Sequence, residues 1–252
     1  MGDISLRKSI RWLPAEASEP TSTLVLTSSG NRFVDIRFLL PLPTDQPNDP
    51  RKRPDGTYPS SSLDWAFAGI STSTPASPQG QKHSVWTHLI DSRHVDTSNV
   101  RDEGDMVTLP DGTTFETGAM VNPATGLKTD YEEIWETVEP KRLGDDEPIY
   151  ELVYQTGLGA DEASAKQGKG MAIRVGQFAQ GIVRTGHGVW CERRAWDGEG
   201  WVTVFRVREE EEEREGEDAG LGEVLECLTT GVNKLQGVIR TGDAVWSALS
   251  RG

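Results

Sequence analysis

The sequence predicts an all-β fold arranged as two consecutive small antiparallel β-barrels with few short helices. Three observations carry that expectation. Short runs alternate apolar and polar residues, and turn residues punctuate them. Each half of the chain holds about six to eight such runs, a number that suits a sandwich or a small closed barrel. Closure also removes the edge strands that invite aggregation. At 252 residues the chain is long enough for one large or two small domains. Its apolar fraction of 35%, supplemented by 27 glycines, is that of a globular protein.

Leu24 and Leu26 share one face of a run that ends at Ser28-Ser29-Gly30-Asn31, and Val34, Ile36 and Phe38 share a face of the next run. This reads as a hairpin. Residues 41–62 contain six prolines (41, 43, 47, 50, 54 and 59), which excludes regular structure and predicts an inserted loop. Leu63, Trp65 and Phe67 alternate again. In Ser84 to Ile90, Trp86, His88 and Ile90 are expected on one face. Met106–Leu109 and Thr114–Ala119 flank the turn signal Pro110-Asp111-Gly112. In Thr129–Val138, Tyr131, Glu133 and Trp135 face opposite to Glu132, Ile134 and Glu136.

The polar stretch 139–148, bracketed by prolines, is the expected boundary between an N-terminal barrel, 1–140, and a C-terminal barrel, 148–252. Ile149–Tyr154, Met171–Val175, Gln177–Arg184, Gly188–Ala195 and Trp201–Val207 read as further strands. Leu221, Val224, Leu225 and Leu228 fit helical spacing, although 224–230 would also pass as a strand. Residues 243–250 carry the same ambiguity.

The net charge of −14 is unevenly spread. Residues 209–218 hold eight acids and one arginine, half of the total, and read as a solvated, self-repelling loop. Nucleic acid is disfavoured because phosphate binding needs clustered Lys and Arg. The one basic cluster, Arg51-Lys52-Arg53, lies in the proline-rich loop. No stretch approaches the 18–20 apolar residues of a membrane span, and the N-terminus lacks the apolar core of a secretory signal. Two cysteines, Cys191 and Cys227, imply no disulfide framework. The expectation is a cytoplasmic protein, with the nucleus not separated from it.

Candidate chemistry is sparse. The four histidines show no metal-ligand spacing, so no metal is expected. His88, on the face of Trp86, is either a satisfied buried histidine or a hydrogen-bond donor to a ligand. No GxSxG elbow exists, and the glycine pairs at 157–159 and 168–170 fit no phosphate-binding pattern, so no cofactor is expected. Cys191 beside Arg193 and Arg194 reads as a structural thiol, unless those arginines lower its pKa. Asp130, Glu132, Glu133 and Glu136 alternate across both faces, which suits the charged protection of an exposed edge strand better than acid–base work. Eight tryptophans are the unusual feature. Trp65, Trp86 and Trp135, with Tyr131, are the expected walls of a pocket.

Several phrases resemble the Hri-one type of fungal protein: SIRWLP (9–14), TSTLVLTS (21–28), RFVDIR (32–37), LDWAFAG (63–69), DEGDM (102–106), GAMVNPATGLKTDYEEIW (118–135) and VGQFAQGIVR (175–184). The resemblance covers nearly the full chain. It implies a pair of lipocalin-like β-barrels and supplies no catalytic residues. The family's first member was named for interaction with a casein-kinase-I-type kinase, so a kinase partner is implied by resemblance alone.

Two functions follow as expectations. One is a non-enzymatic protein that binds a small hydrophobic molecule, a partner protein, or both. The other is a cofactor-independent enzyme of fungal secondary metabolism, an isomerase or a pericyclase such as a Diels–Alder-type cyclase, since paired lipocalin-like barrels are also used by such cyclases. It would need only a shaped, dry pocket with a donor, for which His88 or Arg193 is the candidate.

Overall fold

A computed structural model describes residues 1–42, 48–77, 80–144, 147–157, 168–208, 220–230, 237–241 and 244–251. The acidic stretch 209–218 and most of the loop 157–170 lie outside them. Eight strands form a closed antiparallel barrel in simple meander order: β1 (Asp3–Trp12), β2 (Thr21–Thr27), β3 (Arg32–Leu39), β4 (Leu63–Pro75), β5 (Lys82–Asp91), β6 (Arg101–Thr108), β7 (Thr114–Val121) and β8 (Lys128–Thr137). Closure is made by β1 and β8, whose register pairs Ser5 with Thr137 and Trp12 with Tyr131.

The second half is not described as a second closed barrel. It is a seven-stranded antiparallel sheet in the order β13-β12-β11-β10-β9-β15-β14. Its strands are β9 (Glu151–Thr156), β10 (Lys169–Val175), β11 (Phe178–Thr185), β12 (Gly188–Trp196), β13 (Trp201–Arg208), β14 (Val238–Thr241) and β15 (Ala244–Arg251). The helical alternative holds for Leu221–Thr229 (α1), and the strand alternative holds for β15.

Among the described residues, other elements cover both faces of this sheet. On one face, Leu221, Val224, Leu225 and Leu228 of α1 pack with Leu152, Tyr154, Ala172 and Trp190. On the other, Val153, Met171, Ile173, Ile182 and Phe205 pack against the barrel's outer wall at Leu24, Leu26, Val34, Ile36 and Phe38. A sheet buried on both faces loses the apolar–polar alternation, and β10 is buried at every residue but its first. The edge of β13 is met by the proline-rich insertion: the Tyr58 amide donates to the Arg206 carbonyl and the Arg208 amide to the Tyr58 carbonyl. Phe38 stacks on Phe205 at 4.4 Å between the two layers.

Polar side chains, Gln180 and Arg193 among them, cross this apolar seam. Gln180 Nε2 donates to the carbonyls of Leu24 (2.9 Å) and Val34 (2.8 Å). Arg193 donates to the Ile36 carbonyl (2.7 Å), Ser22 Oγ (3.0 Å) and Gln180 Oε1 (3.0 Å). Cys191 lies in the same seam, where burial pushes its thiol pKa up despite Arg193, so it is a packed thiol rather than an activated one.

Two expectations about faces are corrected. β8 is not an edge strand: it is hydrogen-bonded to β1 and β7. Glu132 and Glu136 therefore project outward to pair with Arg11 and Lys8, while Glu133 is buried. A bulge in the β4–β5 pairing, where Gly69 meets His88 but Ala68 meets Ile90, turns Ile90 into the outer seam, so it does not share His88's face.

Candidate functional site

Inside the barrel is a cavity of about 390 Å³. Residues at strand ends, among them Asp3, Thr27, Lys82, Thr114 and Thr137, line one end of it and form its mouth. Its depth is bounded by Phe33, Phe67, Met120, Arg37 and Tyr131. Behind that floor the opposite end is plugged. Trp65 packs on Phe67 at 4.5 Å, His88 stacks flat on Phe67 at 4.2 Å, and Arg37 lies 5.3 Å over both Trp65 and Phe67.

The lumen is mixed rather than apolar. Val25, Phe33, Phe67, Trp86, Met106 and Met120 give one kind of wall, and Asp35, Arg37, Asp102, Glu116 and Glu133 another. Arg7 holds Glu133 at 2.7 Å and Glu19 at 2.8 Å, and Arg37 donates to Asp35 Oδ2 at 2.9 Å. Burial alone would lower the Arg7 pKa, but Glu133 and Glu19 outweigh it and raise it. Tyr131 Oη donates to Glu116 Oε1 at 2.8 Å. That pair has room because two glycines face it: a Cβ on Gly118 would stand 2.5 Å from Tyr131 Oη, and one on Gly104 would stand 2.9 Å from Glu116 Oε1. Gly104 and Gly118 are register partners, so one small patch of wall gives way to both side chains.

Glu116 is a strongly perturbed acid. Burial, followed by repulsion from Glu133, lifts its pKa from 4.5 to about 8. An acid that holds its proton more tightly when folded stabilises the fold fully below pH 4.5 and loses that contribution as pH rises toward 8. The loss is steepest at about 1.4 kcal/mol per pH unit. Glu116→Gln keeps the shape and the acceptor for Tyr131. It is expected to flatten the urea-midpoint profile between pH 5 and 8 and to be more stable than the parent at pH 8. An unchanged slope would assign the titration to another group.

The sequence-derived candidates divide between several places. Trp86, Tyr131 and Trp135 line the cavity. Trp65 does not; it lies in the plug, where its Nε1 donates to Asp91 Oδ1 at 3.1 Å. His88 is buried in the same plug, with Nδ1 2.6 Å from Asp91 Oδ2 and Nε2 facing Asp102 Oδ2 at 3.4 Å without hydrogen-bond alignment. Burial opposes its protonation, but Asp102 and Asp91 prevail and raise its pKa. Asp91 is held near 2, because hydrogen bonds from His88 and Trp65 overcome its burial. Arg193 is in the seam and lines no part of the cavity. The residues sequence reasoning missed are Asp35, Arg37, Asp102 and Glu116. Only Asp35 and Arg37 carried a signal, their parity: they alternate with Val34, Ile36 and Phe38, so any outward placement of the apolar set sends them inward.

Two residues that line the cavity each carry a buried polar atom without a protein hydrogen-bond partner, the acceptor Asp35 Oδ1 and the donor Trp135 Nε1. No helix among the described residues is long and apolar enough to cross a membrane.

Comparison with known proteins adds two similarities. The profile of a family described as Protein HRI1 matches residues 3–248. The fold is similar to the crystal structure of the uncharacterized protein YLR301w from Saccharomyces cerevisiae, with a TM-score of 0.67, 16% identity and coverage of 100% of this chain and 99% of that one. No curated protein matches the chain in sequence.

Proposed function

This chain belongs to the HRI1 family, and from that premise we propose that its N-terminal barrel binds a small amphipathic molecule in the lumen. One observation carries the reading: a cavity of about 390 Å³ joins an aromatic and methionine wall to carboxyl groups and Arg37, and two of its lining residues, Asp35 and Trp135, each hold a buried polar atom that no protein group satisfies. Unsatisfied buried polar atoms are costly, and their place in residues of the cavity wall favours an occupant with polar groups. The volume falls in the range of small-molecule pockets. The small hydrophobic molecule expected from the tryptophans is here given polar groups as well, because carboxyl groups and Arg37 share the lumen with the rings.

Native mass spectrometry after incubation with an extract of the source cells tests this. The parent protein is expected to retain a discrete small mass. Met120→Trp, which fills the lumen from β7, is expected to retain none at an unchanged fold. A clean unliganded mass for the parent would count against the pocket.

Glu116 favours a second reading. A carboxylic acid that keeps its proton near neutral pH beside Tyr131 is placed to act as a general acid on whatever the lumen holds. Under that reading the released compound differs from the one supplied, as for a cofactor-independent isomerase or cyclase. Under the binding reading the two are identical.

A further inference from the structure

We propose that the molecule held in the lumen is an organic cation: a protonated amine on an apolar, ring-bearing body, its ammonium placed against Asp35, Asp102 and Glu116. The proposal rests on the binding reading above and names the chemical class of that ligand.

The charge of the lining argues for it first. Five carboxyl groups line the cavity, from Asp3, Asp35, Asp102, Glu116 and Glu133, and even with one proton held by the Glu116–Glu133 pair their charge exceeds that of the two cationic lining side chains, Arg37 and Lys82. Lys82 belongs to the mouth. Arg37 is already committed, donating from Nε and Nη2 to Asp35 Oδ2. Adding Arg7, which lies behind the wall on Glu133 and Glu19, still leaves an excess of acid. Glu116 has no cation bonded to it, only the Tyr131 hydroxyl. The second argument is independent of the charge count. Asp35, which lines the cavity, is 3% exposed, and its Oδ1 meets no donor within the protein. The rings of Trp86, Phe33 and Phe67 suit the apolar body.

The groups around Glu116 determine what happens to protons on binding. Glu133 and Tyr131 face it from β8, Asp102 from β6, Asp35 and Arg37 from β3, and Arg7 and Asp3 stand on β1, with Lys82 at the mouth on β5. Near pH 7 this crowd of acids keeps a proton on the Glu116–Glu133 pair. An arriving ammonium supplies the positive charge in its place, so the carboxyl proton leaves to solvent and up to one proton is released per ligand bound.

The test uses three probes on one body: protonated 4-phenylbutylamine, 4-phenylbutanol and 4-phenylbutyrate, titrated calorimetrically into the full chain at pH 7 in phosphate and in Tris. The amine is expected to bind at least about tenfold more tightly than the alcohol, with the carboxylate weakest. Its apparent enthalpy should differ between the buffers in the sense of proton release. Glu116→Gln should abolish that buffer dependence and narrow the amine's advantage over the alcohol. An alcohol or carboxylate that binds as well as the amine overturns the proposal and leaves the binding reading standing. So does a retained extract compound without a basic nitrogen. No bound probe and no retained compound would overturn both.

Discussion

Arg7→Met is expected to destabilise the protein by about 3–5 kcal/mol near neutral pH, as measured by urea unfolding. Arg7 and Glu133 each have 2% side-chain exposure and meet at 2.7 Å. Arg7 also donates to both oxygens of Glu19 and to Thr21 Oγ1. A methionine fills much of the same volume but leaves the Glu133 carboxylate without its nearest cation, in a lumen already crowded with acids. The Glu133 pKa is raised even with Arg7 present, burial being the first cause, and losing Arg7 raises it further. The acid then binds more protons folded than unfolded, so the deficit of the variant should shrink as pH falls toward 5. Arg7→Met combined with Glu133→Gln should recover most of the loss, because a neutral pair needs no counter-ion. A loss below about 1 kcal/mol, equal at pH 5 and pH 8, would mean that Glu133 is solvated through the mouth of the barrel.

The second large effect is expected at Arg193→Met, at about 3 kcal/mol. Arg193 is 3% exposed in the seam between barrel and sheet, donating to Ile36, Ser22 and Gln180 with its guanidinium 4.9 Å over the Phe205 ring. Burial lowers its pKa only to about 10, so it crosses the seam as a cation. Hydrogen bonds from a charged donor contribute about 1.5–3 kcal/mol each, and some of that loss is offset by the apolar surface methionine adds. Gln180→Leu should cost less, about 1–2 kcal/mol, since the Leu24 and Val34 carbonyls it contacts lie within paired strands. Arg193→Met should leave ligand retention in the lumen untouched at temperatures where the variant is folded. Lost retention there would return Arg193 to the donor role its sequence context suggested.

Much of the fold is legible along the chain. Turn residues at Ser28–Asn31 and Pro110–Gly112 mark real hairpins, and the proline-rich stretch 41–62 separates β3 from β4. The site was less legible. Trp86, Tyr131 and Trp135 could be named as cavity wall from their side chains. Glu116 could not, because nothing in its neighbours marks the strand face it occupies. Glu133 was read as the charge of an exposed edge because a sequence does not show that β8 closes onto β1, more than a hundred residues earlier. His88 and Trp65 lie one layer beneath the cavity floor, a distinction of depth that period-two alternation does not carry.

Alternation sorts each strand into two faces, and that is what the sequence by itself determined: Leu24 with Leu26, Val34 with Ile36 and Phe38, Asp35 with Arg37. It is indifferent to which face points inward. Only the tertiary structure decided that, and it sent the apolar faces outward, where the second sheet covers them, and the charged ones into the lumen. The reason is that burial of apolar surface rewards any dry contact. A barrel wall backed by another sheet finds that contact outside, which leaves the inside for polar groups that bond to one another and to whatever enters.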